Sequence, residues 1–92
     1  ETFAEGLATS VPFALTTRVL RERLADFTLV TDDDLRAAMR WLLREDGVVA
    51  EGASAAPVAA ALAAGDDLAG RTVVIPISGR NLSLSKLQAV VD

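Results

Sequence analysis

Cysteine and histidine are both absent from this 92-residue chain. Without cysteine there is no disulfide framework and no thiolate metal site. Without histidine the commonest general base and the commonest metal ligand are missing. Lysine occurs once, at Lys86, and a net charge of −4 comes with no basic cluster. Phosphate neutralisation needs grouped Lys and Arg, so no nucleic-acid partner is expected. No apolar run approaches the roughly 20 residues of a membrane span, so no membrane partner is expected either. No secretory signal pattern is present, and the expected location is cytoplasmic.

What is there is half apolar (51%), alanine-rich and poor in aromatics (4%), a globular composition. The length allows one domain at most. A free chain of this size buries only about 60–65% of its extended surface, so an isolated fold would be marginal. The sequence opens at Glu1 inside a patterned segment, and the expectation is a piece of something longer.

Residues 1–10 mix small, apolar and polar types around Gly6 and read as a loop with a short turn. Ser10 as a cap and Pro12 in the first turn start a helix over about residues 12–23, with Leu15, Val19 and Leu20 on its apolar side. Phe27, Leu29 and Val30 read as a short strand. Thr31 then caps a second helix whose first turn holds Asp32, Asp33 and Asp34, where the helix dipole favours negative charge. Three adjacent aspartates also suggest calcium, but the glycine and distal glutamate of an EF-hand loop are missing, and the helix start explains them better. Leu35, Ala38, Met39, Leu42 and Leu43 give the clearest helical period in the chain, running to about Glu45 with Gly47 past the end.

Residues 48–50 form a short extended step. A third helix follows, with Ser54 as a candidate cap, Pro57 in its first turn and Gly65 at its end. It has almost no polar face, so it is expected to be buried on most sides. Residues 71–77 read as a second strand, apolar on both faces, as in a covered parallel sheet. Asn81, Ser83 and Ser85 are candidate caps for a last helix carrying Leu84, Leu87, Val90 and Val91. Helices alternating with buried strands predict an α/β fold: a partial parallel sheet with flanking helices, incomplete because two strands need neighbours.

Few residues can carry chemistry. Ser78 stands at the carboxyl end of the second strand, beside Gly79, where sheets of this class collect ligands. Its hydroxyl either faces a ligand or caps an ordinary turn, and Asn81 carries the same ambiguity. Glu51 precedes a helix start, where the dipole explains it, and it also suits a pocket wall. Gly6 reads most simply as a turn residue. Lys86 reads as a solvated surface lysine. No catalytic residue and no metal ligand emerges.

Taken in order, four motifs resemble the carboxy-terminal part of the threonine dehydratase and serine racemase family, pyridoxal-phosphate enzymes of the tryptophan-synthase β-like fold. Glu1-Thr2-Phe3-Ala4-Glu5-Gly6 is similar to the family's Thr-Ile-Ala-Asp-Gly segment. Phe27-Thr28-Leu29-Val30-Thr31-Asp32-Asp33-Asp34-Leu35 is similar to its strand and Val-Ser/Thr-Glu-Asp-Glu-Ile helix start. Val49-Ala50-Glu51-Gly52-Ala53-Ser54-Ala55 resembles its Glu-Pro-(Ala/Ser)-Gly-Ala step. Residues 73–81 resemble its last strand and Ser-Gly-Gly-Asn turn.

The resemblance implies that residues 1–92 are an incomplete, carboxy-terminal part of the large domain of a fold-type II pyridoxal-phosphate enzyme. It implies a lyase that eliminates water from hydroxy amino acids to give a 2-oxo acid and ammonia. It implies cofactor-binding roles: Ser78 at the pyridine nitrogen, Gly79 and Asn81 shaping the turn around the ring, and Gly6 and Glu51 lining the pocket. The implied partners are the rest of the enzyme chain, an amino-acid substrate and further copies in a homo-oligomer. The family's Schiff-base lysine, glycine-rich phosphate loop and acidic metal site lie upstream of these motifs, and Lys86 is not in the lysine's motif. The chain departs from the pattern at Arg80, Gly52 and Ser54, which replace a small residue, the proline and the glycine. Threonine synthase, cysteine synthase and diaminopropionate ammonia-lyase are related readings. A small α/β interaction or regulatory module without chemistry is the alternative from another class.

Overall fold

A computed structural model describes all 92 residues, Glu1–Asp92. Four α-helices carry the fold: α1 (Ala14–Arg23), α2 (Asp32–Trp41), α3 (Gly52–Ala64) and α4 (Leu84–Val91). Short 3-10 turns at Glu5–Leu7 and Gly65–Leu68 flank them, and α2 continues into a π turn at Leu42–Asp46.

The caps explain the best-placed boundaries. Thr31 and Asp34 form a reciprocal capping box: the Asp34 N–H donates to Thr31 Oγ1 at 3.1 Å, and the Thr31 N–H donates to Asp34 Oδ2 at 2.9 Å. Gly47 ends that helix in the left-handed region, φ 65°, and Gly65 ends α3 with φ 51°. Ser83 caps α4 by accepting the Lys86 N–H at 3.3 Å. Other cap expectations are corrected. α1 starts at Ala14 with Phe13 as its uncapped boundary residue, so Ser10 caps nothing there. α3 starts at Gly52, which puts Ser54 inside its first turn and Pro57 a full turn deeper than expected.

The core is small: 12 of 92 residues are buried. It gathers Leu35, Ala38 and Met39 from α2, Leu42 from the π turn after it, Ala55, Val58 and Ala59 from α3, and Val90 from α4, closed by Ala4 and Ala50. The period seen along α2 therefore marks its buried face, with Leu43 half-buried at the edge. α2 lies between α3 and α4, and the turn at Glu5–Leu7 packs on α3. The Arg40 guanidinium donates to the Val90 carbonyl at 2.9 Å, tying α2 to the negative end of α4. α3 is not buried all round: Gly52, Ser54, Ala55, Val58 and Ala59 face inward, while Pro57, Leu62 and Ala63 are exposed.

The expected partial parallel sheet is not present. The chain has no β-strand, and its regular structure is helical throughout. Residues 25–30 and 72–78 make no backbone-to-backbone hydrogen bond at all. The physical reason is that a strand is defined by its neighbours, and neither segment has one. The nearest approach to pairing is a single bond, from the Glu51 N–H to the Gly79 carbonyl at 3.2 Å. The apolar side chains of these segments are correspondingly exposed, Leu29 by 84% and Val74 by 87%. α1 packs against none of the other elements, and Leu15, Val19 and Leu20 on its apolar side are exposed. The result is a slab of 39 × 35 × 19 Å with a radius of gyration of 14.1 Å, against about 12 Å for a compact domain of this length. No helix is long and apolar enough to cross a membrane.

Candidate functional site

The amino-terminal end of α3 brings the site together. Glu51 is its boundary residue, with an extended backbone (φ −72°, ψ 162°), but its carboxylate does not cap the helix. It turns to the segment after residue 77 instead, where Glu51 Oε1 accepts the Asn81 N–H at 3.3 Å. The Glu51 N–H holds the same segment through the Gly79 carbonyl. Gly79 is half-buried beneath the carboxylate, and a Cβ built on it would lie on Glu51 Oε1. Its φ is not positive, so the requirement is close approach and not an unusual turn.

One residue earlier, Ser78 is exposed and its Oγ lies 3.0 Å from Ser54 Oγ. Ser54 is 2% exposed. Ser78, Gly79, Asn81 and Glu51 thus form one docked turn. Gly6 joins through α3 and not through the turn: a Cβ on Gly6 would stand 2.8 Å from Ala53 Cβ, which is how the turn at Glu5–Leu7 comes against the helix. Gly52 does the same for Phe3, whose ring would meet a Gly52 Cβ at 2.8 Å. The Arg36 guanidinium lies over the Phe3 ring, 4.7 Å from its centre.

A second anchor holds the amino-terminal segment. Thr2 donates its hydroxyl to Asp32 Oδ1, and the Phe3 N–H donates to Asp32 Oδ2 at 3.3 Å. The Thr2 hydrogen bond leads the causes that hold the Asp32 carboxyl below the usual carboxylate range; the Phe3 N–H and the Arg36 charge act in the same direction. Asp34 is lowered in the same sense, first by the Thr31 N–H and then by the Thr31 hydroxyl. Among the aspartates, Asp32 and Asp34 are thus bound to chain groups, and no cluster of acidic residues is arranged to hold a metal ion.

Two cations lie at or near the turn, Arg80 within it and Lys86 on the wall of the same cleft. Lys86 forms an ion pair with Glu5, and both are largely exposed. Arg80 is exposed and makes no hydrogen bond or ion pair. The cleft lined by Glu5, Glu51, Gly52, Asn81 and Lys86 encloses only about 10 Å³, space for one water. A larger open hollow, about 530 Å³, lies elsewhere, against Leu20, Leu24 and Phe27 beside α1. The donor set therefore suits the edge of a flat polar ring, which a hydroxyl can reach at Ser78. Its unpaired cation is Arg80, and it encloses no ligand by itself.

Ser54 reads from the sequence as a helix cap, yet it holds Ser78 across the turn, and Thr2 anchors the amino-terminal segment to Asp32. The signal for Ser54 was its hydroxyl in an otherwise apolar helix. Nothing local marked Thr2.

The chain is similar to known proteins along nearly its whole length. The family model described as pyridoxal-phosphate dependent enzyme matches residues 1–79. L-threonine dehydratase catabolic TdcB of Staphylococcus aureus strain N315 is 33% identical over 94 residues, 99% of this chain and 27% of that protein. The protein of the same name from Escherichia coli strain K12 is 37% identical over 91 residues, 97% of this chain and 28% of that protein. The chain thus spans little more than a quarter of the length of these curated relatives.

Proposed function

The chain belongs to the family of pyridoxal-phosphate dependent enzymes, and from that premise we propose that it is the carboxy-terminal part of the large domain of a cytoplasmic lyase acting on hydroxy amino acids. The reaction is that of a threonine or serine dehydratase. The amino acid loses its α-proton and β-hydroxyl as water, and hydrolysis of the resulting imine then gives a 2-oxo acid and ammonia. Threonine dehydratase relatives at 33–37% identity support this substrate class.

The observation that carries the site is the exposed Ser78 hydroxyl on a turn locked to α3 by Glu51. Pyridoxal phosphate, when bound, supplies the electron sink for the elimination. Ser78 Oγ is suited to donate to the pyridine nitrogen. A hydroxyl is too weak an acid to give up its proton there, so Ser78 would hold the nitrogen by a hydrogen bond without transferring the proton to it. Glu51 and Gly79 keep the turn in place, and Asn81 completes it through its backbone. Gly6 sets the wall formed by the turn at Glu5–Leu7. The phosphate and the lysine lie with the remainder of the polypeptide. That remainder would also cover the segments at residues 25–30 and 72–78, which make no backbone-to-backbone hydrogen bond and leave Leu29 and Val74 exposed. Assembly into a homo-oligomer belongs to the same reading.

The test is borohydride reduction of the native protein, followed by denaturing mass spectrometry and a substrate assay. The expected result is one reduced cofactor fixed to a lysine of the polypeptide that carries these residues, and release of 2-oxo acid from threonine or serine. A polypeptide with no adduct and no turnover would remove the proposal.

A further inference from the structure

We infer that Ser54 is a positioning residue for the Ser78 hydroxyl, setting its rotamer and aiming its proton outward. The inference rests on the cofactor role proposed for Ser78. Ser54 Oγ is 3.0 Å from Ser78 Oγ and makes no other side-chain hydrogen bond. Ser54 is 2% exposed, whereas Ser78 is exposed. No buried side-chain polar atom lacks a partner, so the Ser54 hydroxyl is satisfied through Ser78 alone. The family pattern that the chain resembles carries glycine at this position, so the hydroxyl is a feature of this chain's own sequence.

The direction of the pair follows from counting protons and lone pairs. Each hydroxyl has one proton and can accept as well. An acceptor arriving at the exposed side takes the Ser78 proton. Ser54 then donates to Ser78, since its own burial leaves it no other acceptor. Such a chain polarises Ser78 and makes it a stronger donor. It also selects one of the three staggered Ser78 rotamers before the ring arrives. Gly79 leaves the path open: even a Cβ there would stand 3.8 Å from Ser54 Oγ.

The experiment uses the complete enzyme, stripped of cofactor and titrated with pyridoxal phosphate. Ser54→Ala, Ser54→Gly, Ser78→Ala and the Ser54→Ala/Ser78→Ala double variant are compared. The readouts are cofactor dissociation constant, visible absorption maximum of the bound cofactor and thermal midpoint of the apoprotein. Ser54→Ala and Ser54→Gly should each weaken cofactor binding about 3- to 10-fold, the range of one hydrogen bond, and move the absorption maximum in the same direction as Ser78→Ala. The Ser54→Ala effect should vanish in the Ser78→Ala background, because only neighbours couple in this way. An unchanged dissociation constant and band in both Ser54 variants, or an equal loss in either background, would overturn the inference while leaving Ser78 in place. A loss of affinity that tracks a fall in the apoprotein midpoint, with no band shift, would also overturn it. If Ser78→Ala itself changes neither affinity nor band, the reading of Ser78 fails and this inference falls with it.

Discussion

Glu51 and Gly79 meet twice: the Glu51 N–H donates to the Gly79 carbonyl at 3.2 Å, and the Glu51 carboxylate occupies the space that a Gly79 side chain would fill. Backbone and side chain of one residue thus hold the turn that presents Ser78. The carboxylate then accepts the Asn81 N–H at 3.3 Å, two residues further on.

Gly79→Ala tests that arrangement. The new methyl meets the far end of a flexible side chain, so Glu51 can swing away at little cost to the fold. The bond to Asn81 is lost in doing so, worth about 0.5–1.5 kcal/mol. The thermal midpoint should change little, while cofactor affinity of the complete enzyme falls by several-fold. An unchanged affinity would mean that the turn does not depend on the position of Glu51.

Gly52→Ala should behave in the opposite way. Gly52 is buried, and its added methyl would meet the Phe3 ring at 2.8 Å and Ala4 Cβ at 3.2 Å. Phe3 cannot retreat freely, because Arg36 covers it at 4.7 Å. Overpacking of this kind costs about 1–3 kcal/mol. Urea unfolding should show that loss, and a wild-type midpoint would show that Phe3 has room to move.

Asp32 and Asp34 set an acid limit. Both carboxyls are held below their ordinary value of 3.8. A carboxyl lowered in the folded state contributes stability that is fully present above its unfolded pKa and is lost as pH falls through the folded one. The anchoring of residues 2–4 should therefore be intact at neutral pH and loosen below about pH 3.8, as amide exchange in that segment reports. Asp32→Asn should loosen the segment already at pH 7. Protection that is independent of pH down to 2 would show that Thr2 does not depend on the ionised carboxylate.

Ser78→Ala should weaken cofactor binding and elimination together in the complete enzyme, by about 1–3 kcal/mol if the pyridine nitrogen is left unpaired. Dissociation constants and steady-state rates measure this. Full affinity and full rate would take Ser78 out of the site.

Local chemistry determined much of this protein. Thr31, Gly47 and Gly65 are capping signals that act within one turn, so both ends of α2 and the carboxyl end of α3 were legible from the residues alone. The repeat from Leu35 to Leu42 marked the buried face for the same reason. The order of four short motifs carried the family, since it depends on residue identity and not on packing. The tertiary structure decided what distance along the chain hides. Residues 71–77 have the composition of a strand, but composition supplies no partner, and no sheet forms. Ser54 reads as a cap in isolation; 24 positions separate it from Ser78, and only the docking of one turn on one helix end brings their hydroxyls to 3.0 Å. Thr2 and Asp32 are likewise 30 positions apart and joined by folding. Caps and periods are short-range and can be read in a line of residues, whereas ladders and buried hydroxyl pairs need surfaces that exist only once the chain has folded.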